Sequence, residues 1–209
     1  MPAESSKKIV LIAKDAIPGK VKTRLTTHHS PQAAAQIYQH LALHVCEQAI
    51  ASEIPVDISF QGDMHSPFAQ ELASYGCSLY PQQQKSLSHI IHTALQRADR
   101  VIALGMDMPL IQPQQLIRII HKPELIFGPA DDGGYWMIAA NRPPIELFLD
   151  IEWSTSVVLH QSIKRAQELN IHHSLDQIHY DIDTAADLQR LLVDPLLPPS
   201  LYQRISPYA

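Results

Sequence analysis

The sequence predicts an α/β domain in which helices cover both faces of a mostly parallel sheet, three layers in all. Two observations carry that prediction. Short apolar runs such as residues 9–13 and 101–104 alternate with longer stretches whose apolar residues recur at helical spacing. Glycine is scarce, seven in 209 residues, yet five of the seven fall in three short motifs placed after predicted strands. Open α/β sheets bind their ligands at those strand ends.

The elements follow in order. Residues 9–13 form a continuous apolar run suited to a strand buried on both faces. Ser30-Pro31 starts a helix, serine as N-cap and proline in the first turn, with Ile37, Leu41, Val45 and Ala49 along one stripe. Residues 56–60 alternate as a strand, 66–75 read as a helix ended by Gly76, 78–80 as a short strand, and 86–98 as a helix. Residues 100–104 are the next buried strand, and Gln112-Pro113 begins a helix with Leu116, Ile117 and Ile120 on its apolar side. Strands are predicted at 125–127 and 135–140, an amphipathic helix at 154–169 capped by Ser154, a late strand at 178–182 and a helix at 184–193. The domain spans 1–193. Residues 194–209 carry four prolines among leucines and are expected to form a docked arm rather than a helix.

Composition narrows the function. A formal charge of -5 argues against a surface that coats nucleic acid. The first apolar run is too short for a signal peptide or a membrane span, so a cytoplasmic protein is expected. Cys46 and Cys77 lack metal-ligand spacing and read as reduced thiols.

The chemistry sits in the glycine motifs. The first loop holds Lys14, Lys20, Lys22 and Arg24, four of the sixteen basic residues within eleven positions, around Pro18-Gly19. Gly19 allows a tight turn, and the cations suit phosphate oxygens. This is not a Walker loop, because the glycine that precedes its lysine is missing. Asp107, in Gly105-Met106-Asp107-Met108-Pro109, follows a strand and is a candidate ligand for a hard divalent cation. In Asp131-Asp132-Gly133-Gly134-Tyr135, two acids and two glycines exceed what a hairpin turn needs. Gly133 and Gly134 would let a sugar or nucleotide approach the backbone, and Asp131 or Asp132 would bind hydroxyls. Tyr135 and Trp136 point to opposite faces, one expected on a ligand ring and the other in the core. Thr184 with Asp187 reads as a capping box. Asp183 is either the N-cap or, like Asp181, a second metal carboxylate. Trp153 is either core or a wall of the acceptor pocket.

Taken in order, Lys14, Pro18-Gly19-x-x-Lys22-Thr23-Arg24-Leu25, Gly105-x-Asp107-x-Pro109-Leu110, Gly128-Pro129-Ala130-x-Asp132-Gly133-Gly134-Tyr135, Trp153-Ser154-Thr155 and Asp181-x-Asp183-Thr184-x-x-Asp187-Leu188 resemble a bacterial family of uncharacterised glycosyltransferase-like proteins. That family lies in the nucleotide-diphospho-sugar transferase superfamily, which has the GT-A fold. The set is similar, more distantly, to phospholactate and molybdenum-cofactor guanylyltransferases. The resemblance implies that Lys14, Gly19, Lys22 and Arg24 grip nucleotide phosphates and that Asp107 binds magnesium or manganese, with Asp183 where sugar-nucleotide synthetases place a second metal carboxylate. Asp132 and Arg24 are the candidate catalytic residues, and Gly133, Gly134, Tyr135 and Trp153 the substrate-binding ones. The chain departs from the family at residues 82–89, which lack the usual glycine and acidic residue, and its first loop lacks the Gly-Gly of many nucleotidyltransferases.

Three activities are compatible with this pattern. One is glycosyl transfer from a nucleotide-diphospho-sugar to a small-molecule acceptor. Another is nucleotidyl transfer to a phosphorylated small molecule, with release of pyrophosphate. The last is nucleotide binding without catalysis. In each case the expected partner is a nucleotide or nucleotide-sugar, with no nucleic acid, and the chain is expected as a monomer or homodimer.

Overall fold

The computed structural model describes residues 5–83 and 86–209. One seven-stranded sheet runs through it in the order β3-β2-β1-β4-β6-β5-β7. The strands are β1 (Lys7–Lys14), β2 (Val56–Gln61), β3 (Ser78–Pro81), β4 (Arg100–Leu104), β5 (Leu125–Pro129), β6 (Tyr135–Ala140) and β7 (His173–Leu175). Only β6 runs against its neighbours, pairing antiparallel with β4 and β5. The helices are α1 (Pro31–Ala51), α2 (Pro67–Ser74), α3 (Leu87–Leu95), α4 (Pro113–Ile120), α5 (Val158–Glu168), α6 (Ala185–Leu192) and α7 (Pro199–Ile205).

Alternation along the strands makes the three layers. Ile9 and Leu11 pack with α1, α2 and α4 on one face of the sheet. Val10, Val101 and Ala103 pack with α3 and α5 on the other. The reversal at β6 matters for function. Its first residue, Tyr135, lies at the same end of the sheet as the carboxyl ends of β1, β4 and β5, so all three glycine motifs meet at one edge.

Helix starts obey the sequence signals where a serine precedes a proline. Ser30 and Ser66 accept backbone bonds from Ala33 and Ala69, and Thr184 with Asp187 forms the capping box at α6. Two expectations within the domain need correction. Ser154 is not a cap: it has φ 65, and α5 starts only at Val158. Residues 178–182 are not a strand. They make one bridge, Ala130 to His179, because Tyr180 and Ile182 bury against α1, α6 and α7 rather than lying in the sheet. The seventh strand is His173–Leu175 instead.

The tail is docked but helical. Pro199 occupies the first turn of α7, where its missing N–H costs nothing. Leu201 and Ile205 are fully buried in one cluster with Ile37 and Leu41 of α1. Arg204 forks onto both oxygens of Glu47 at 2.9 Å. Leu201→Ala is expected to cost about 3 kcal/mol, the usual range for a buried leucine, read as a lowered urea midpoint with unchanged slope.

His44 lies in α1, 2% exposed, with Nε2 3.1 Å from the Pro109 carbonyl. Burial holds its pKa below the ordinary 6.5. The unfolded chain therefore takes up this proton first as pH falls, and His44 subtracts stability from about pH 6.5 downward. His44→Gln is expected to shallow the loss of thermal stability between pH 7 and 5.5, checked by melting curves of both proteins across that range.

Candidate active site

The first loop leaves β1 at Lys14, whose backbone N–H donates to the Tyr38 hydroxyl at 2.9 Å. Ile17 and Lys20 close the Pro18-Gly19 turn through a 3.0 Å backbone bond, with Gly19 at φ 76. Val21 and Leu25 are buried, at 5% and 0% exposure, and anchor the loop on either side of Lys22. Lys22 itself adopts φ 46, a left-handed conformation uncommon outside glycine.

Between these anchors the Lys22 side chain is 6% exposed and bridges two acids from distant parts of the chain. Nζ donates to Asp107 Oδ2 and to Asp183 Oδ1, both at 2.6 Å. Burial alone would lower the lysine pKa, but the two carboxylates outweigh it and the pKa is raised. Arg24 adds a 3.3 Å contact to Asp183 Oδ2 from an exposed position.

Asp107 is set by the chain around it. Met106 and Met108, each 2% exposed, plug into the core and leave Asp107 between them at the strand end. A Cβ on Gly105 would lie 2.9 Å from Asp107 Oδ1. The Ile182 N–H donates to the Asp107 carbonyl at 3.3 Å, which docks the 181–183 segment on the loop after β4. The capping box then frees Asp183. Asp187 Oδ2 accepts from the Asp183 and Thr184 backbones at 3.2 and 2.7 Å, so Thr184 is the N-cap and the Asp183 carboxylate turns to the lysine.

Asp181 completes a triad. One carboxylate oxygen from each of Asp107, Asp181 and Asp183 lies within 4.8 Å of the others. Burial first, then Asp107 and Asp183, push the Asp181 pKa up to about 7. Three convergent oxygen donors with unbalanced negative charge fit magnesium or manganese. The sequence offers Asp181 only as an alternative to Asp183, although their i, i+2 spacing in an extended segment places them on one side.

Two halves of one cleft meet at this triad and share Ile12, Gly105, Asp107 and Ser154. The first, about 430 Å³, is lined by Lys14, Lys20, Lys22, Arg24 and Tyr38. The second, about 270 Å³, is lined by Leu87, Ile91, Tyr135 and Trp153, with Asp132 and Asp181 at its polar side. Among the described residues it has no Lys, Arg or His. Gln84 and Lys85, in the segment that departs from the family, lie outside the described residues.

The remaining expected site residues are distributed as follows. Asp132 lies on the apolar half, its Oδ1 accepting from the Gly134 N–H at 2.8 Å. Asp131 instead pairs with Arg190 at 2.6 Å. Gly134 borders the cleft. At Gly133 the close approach comes from the chain itself, since a Cβ there would lie 2.1 Å from the Ser156 carbonyl oxygen. Trp136 takes the core position, 4% exposed, in a place a Cβ on Gly128 would fill. Tyr135 takes the cleft side and meets Trp153 edge to face at 6.1 Å. Trp153 is fixed by its indole N–H, which donates to Ser88 Oγ at 2.8 Å. Tyr38, Leu87 and Ile91 gave no sign of a site in the sequence, because their spacing is that of ordinary core residues on α1 and α3.

The fold is that of the nucleotide-diphospho-sugar transferases, and the comparisons with known proteins define it. A protein from Desulfovibrio desulfuricans G20, provisionally named a nucleotide-diphospho-sugar transferase, superposes with a TM-score of 0.87 at 22% identity, over 98% of this chain and 95% of that one. CMP:2-keto-3-deoxy-manno-octonic acid synthetase, solved with CTP, gives 0.57 at 14% identity, over 89% and 96%. The inositol-1-phosphate CTP transferase of T. maritima gives 0.56 at 11% identity, over 97% and 96%. No curated protein sequence matches the chain. The chain belongs to the family described as uncharacterized proteins conserved in bacteria (DUF2064), whose profile matches residues 42–155. Among the described residues no helix is long and apolar enough to cross a membrane.

Proposed function

We propose that the protein is a metal-dependent transferase that moves a sugar from a nucleotide-diphospho-sugar to a small-molecule acceptor. The observation that carries this reading is the division of the cleft into a cationic half and an apolar, acid-edged half that meet at three carboxylates. Lys14, Lys20 and Arg24 bind the diphosphate, with Gly19 giving the loop its turn. Asp107, Asp183 and Asp181 hold Mg2+ or Mn2+, which when bound offsets charge on the departing diphosphate. Trp153 and Tyr135 wall the sugar and acceptor, and Gly134 lets them approach the backbone. Asp132 accepts the acceptor's proton or orients the sugar, and Arg24, exposed at the cleft mouth, closes on the reacting phosphates.

Nucleotidyl transfer is the second reading, and the solved relatives named for CTP chemistry favour it. A phosphorylated acceptor would set its phosphate in the half of the cleft whose described lining carries Asp132 and Asp181 but no Lys, Arg or His. That is the reason glycosyl transfer ranks first. Calorimetric titration with nucleoside triphosphates and with nucleotide-diphospho-sugars, each with magnesium and with chelator, separates the two. Metal-dependent binding of a diphospho-sugar supports the first reading. Preference for one triphosphate, with pyrophosphate release, supports the second. No binding by any of them leaves a protein without this chemistry.

A further inference from the structure

Lys22 occupies a place with two claimants. Its Nζ lies 2.6 Å from an oxygen of Asp107 and 2.6 Å from an oxygen of Asp183, the same two acids that join Asp181 in the triad. An ammonium there supplies one of the two positive charges that a divalent cation would supply. The two cannot use the same carboxylate oxygens together at those distances. Lys22 also lines the cationic half of the cleft with Lys14, Lys20 and Arg24. Its side chain hangs from a left-handed backbone position, on a loop pinned by Val21 and Leu25. The four-carbon stem is flexible, so the ammonium can leave the acids for the neighbouring phosphate space without the loop unfolding.

We infer that Lys22 is a built-in competitor for the cation: it pairs with Asp107 and Asp183 when no metal is bound and is displaced when the metal binds. The displaced ammonium then serves the diphosphate. The inference rests on the metal reading above and adds a coupling to it. Metal alone must break two charged hydrogen bonds, whereas metal with a diphosphate gives the freed lysine a new partner. Cation and diphosphate therefore bind with positive cooperativity, and by linkage each raises the affinity of the other by the same factor.

The test is Mn2+ binding followed by EPR of the free ion, with and without inorganic pyrophosphate, in the wild type and in Lys22→Met. Methionine keeps most of the stem's volume and removes the charge. Because pyrophosphate also binds Mn2+ directly, the same titration without protein is subtracted. Lys22→Met is expected to bind Mn2+ about tenfold more tightly than the wild type when no pyrophosphate is present. It is also expected to lose most of the gain that pyrophosphate gives the wild type. Its apo form should melt lower, since two part-buried acids lose their partner, and Mn2+ should raise its melting temperature more than it raises the wild type's. Equal or weaker Mn2+ binding by Lys22→Met overturns the competition and leaves the metal site standing. Absence of Mn2+ binding in both proteins removes the metal site and this inference together. Should Lys22→Met fail to fold, Lys22→Gln, which removes the charge and keeps a polar side chain one bond shorter, is read in the same way.

Discussion

Asp107→Asn is expected to abolish the proposed metal-dependent nucleotide binding and to leave the fold intact. The expected loss of metal affinity exceeds the tenfold to hundredfold typical of outer-shell partners, because a ligand itself is changed. Three features make the fold indifferent. The carboxamide has the shape of the carboxylate and still accepts from Lys22 through its oxygen. The contact that docks the 181–183 segment uses the Asp107 backbone carbonyl, not its side chain. Lys22 keeps the charge of Asp183 as its partner at 2.6 Å, so no unpaired charge is sealed in the core. Calorimetric titration with nucleotide and magnesium, beside a melting curve, reads both halves of the prediction. Binding that stays metal-dependent would transfer the ligand role to Asp181 and Asp183 alone. A variant that unfolds would make Asp107 a structural residue.

The layers of the fold were legible because buried parallel strands write themselves as unbroken apolar runs, and residues 9–13 and 101–104 do so. Two of the failures, the late strand and the tail, share a cause. Ile178, Tyr180 and Ile182 alternate like a strand, but Tyr180 and Ile182 point at a helical cluster that includes the C-terminal tail. No local pattern reveals such a partner. The same cluster turns the tail into a helix, since Leu201 and Ile205 have somewhere to go and Pro199 sits where a helix tolerates it.

The site divides in the same way. Each glycine motif announced itself beside a strand end, and Asp107, Asp183 and the cationic loop do converge. What the sequence could not show is that Lys22 reaches both acids. Those contacts span 85 and 161 positions, and they follow from the sheet order rather than from spacing. Tyr38 was hidden by its setting: a tyrosine in a helical stripe reads as packing until the strand end beside it is known.

Gly133→Ala is expected to cost about 4 kcal/mol, summing backbone strain and overpacking of roughly 1–3 kcal/mol each. Gly133 has φ 90, a conformation that L side chains rarely adopt. The obstacle is backbone: an added Cβ would lie 2.1 Å from the Ser156 oxygen and 2.8 Å from its Cα, and neither can rotate away. The Gly133 carbonyl also accepts from the Leu159 N–H at 3.0 Å, in the first turn of a helix with no side-chain cap of its own. Moving this residue therefore uncaps α5 and shifts the 153–156 turn, which brings Trp153, Ser154 and Thr155 to the cleft. Gly134→Ala is the control. A Cβ there meets only the Asp132 carboxylate, at 3.1 Å, and that group can swing toward solvent. Urea unfolding should show a large loss for Gly133→Ala and a small one for Gly134→Ala, while both variants weaken ligand binding on the apolar side. Equal stability of the two would mean that the turn at 154–157 yields freely, and that Gly133 is there for the ligand after all.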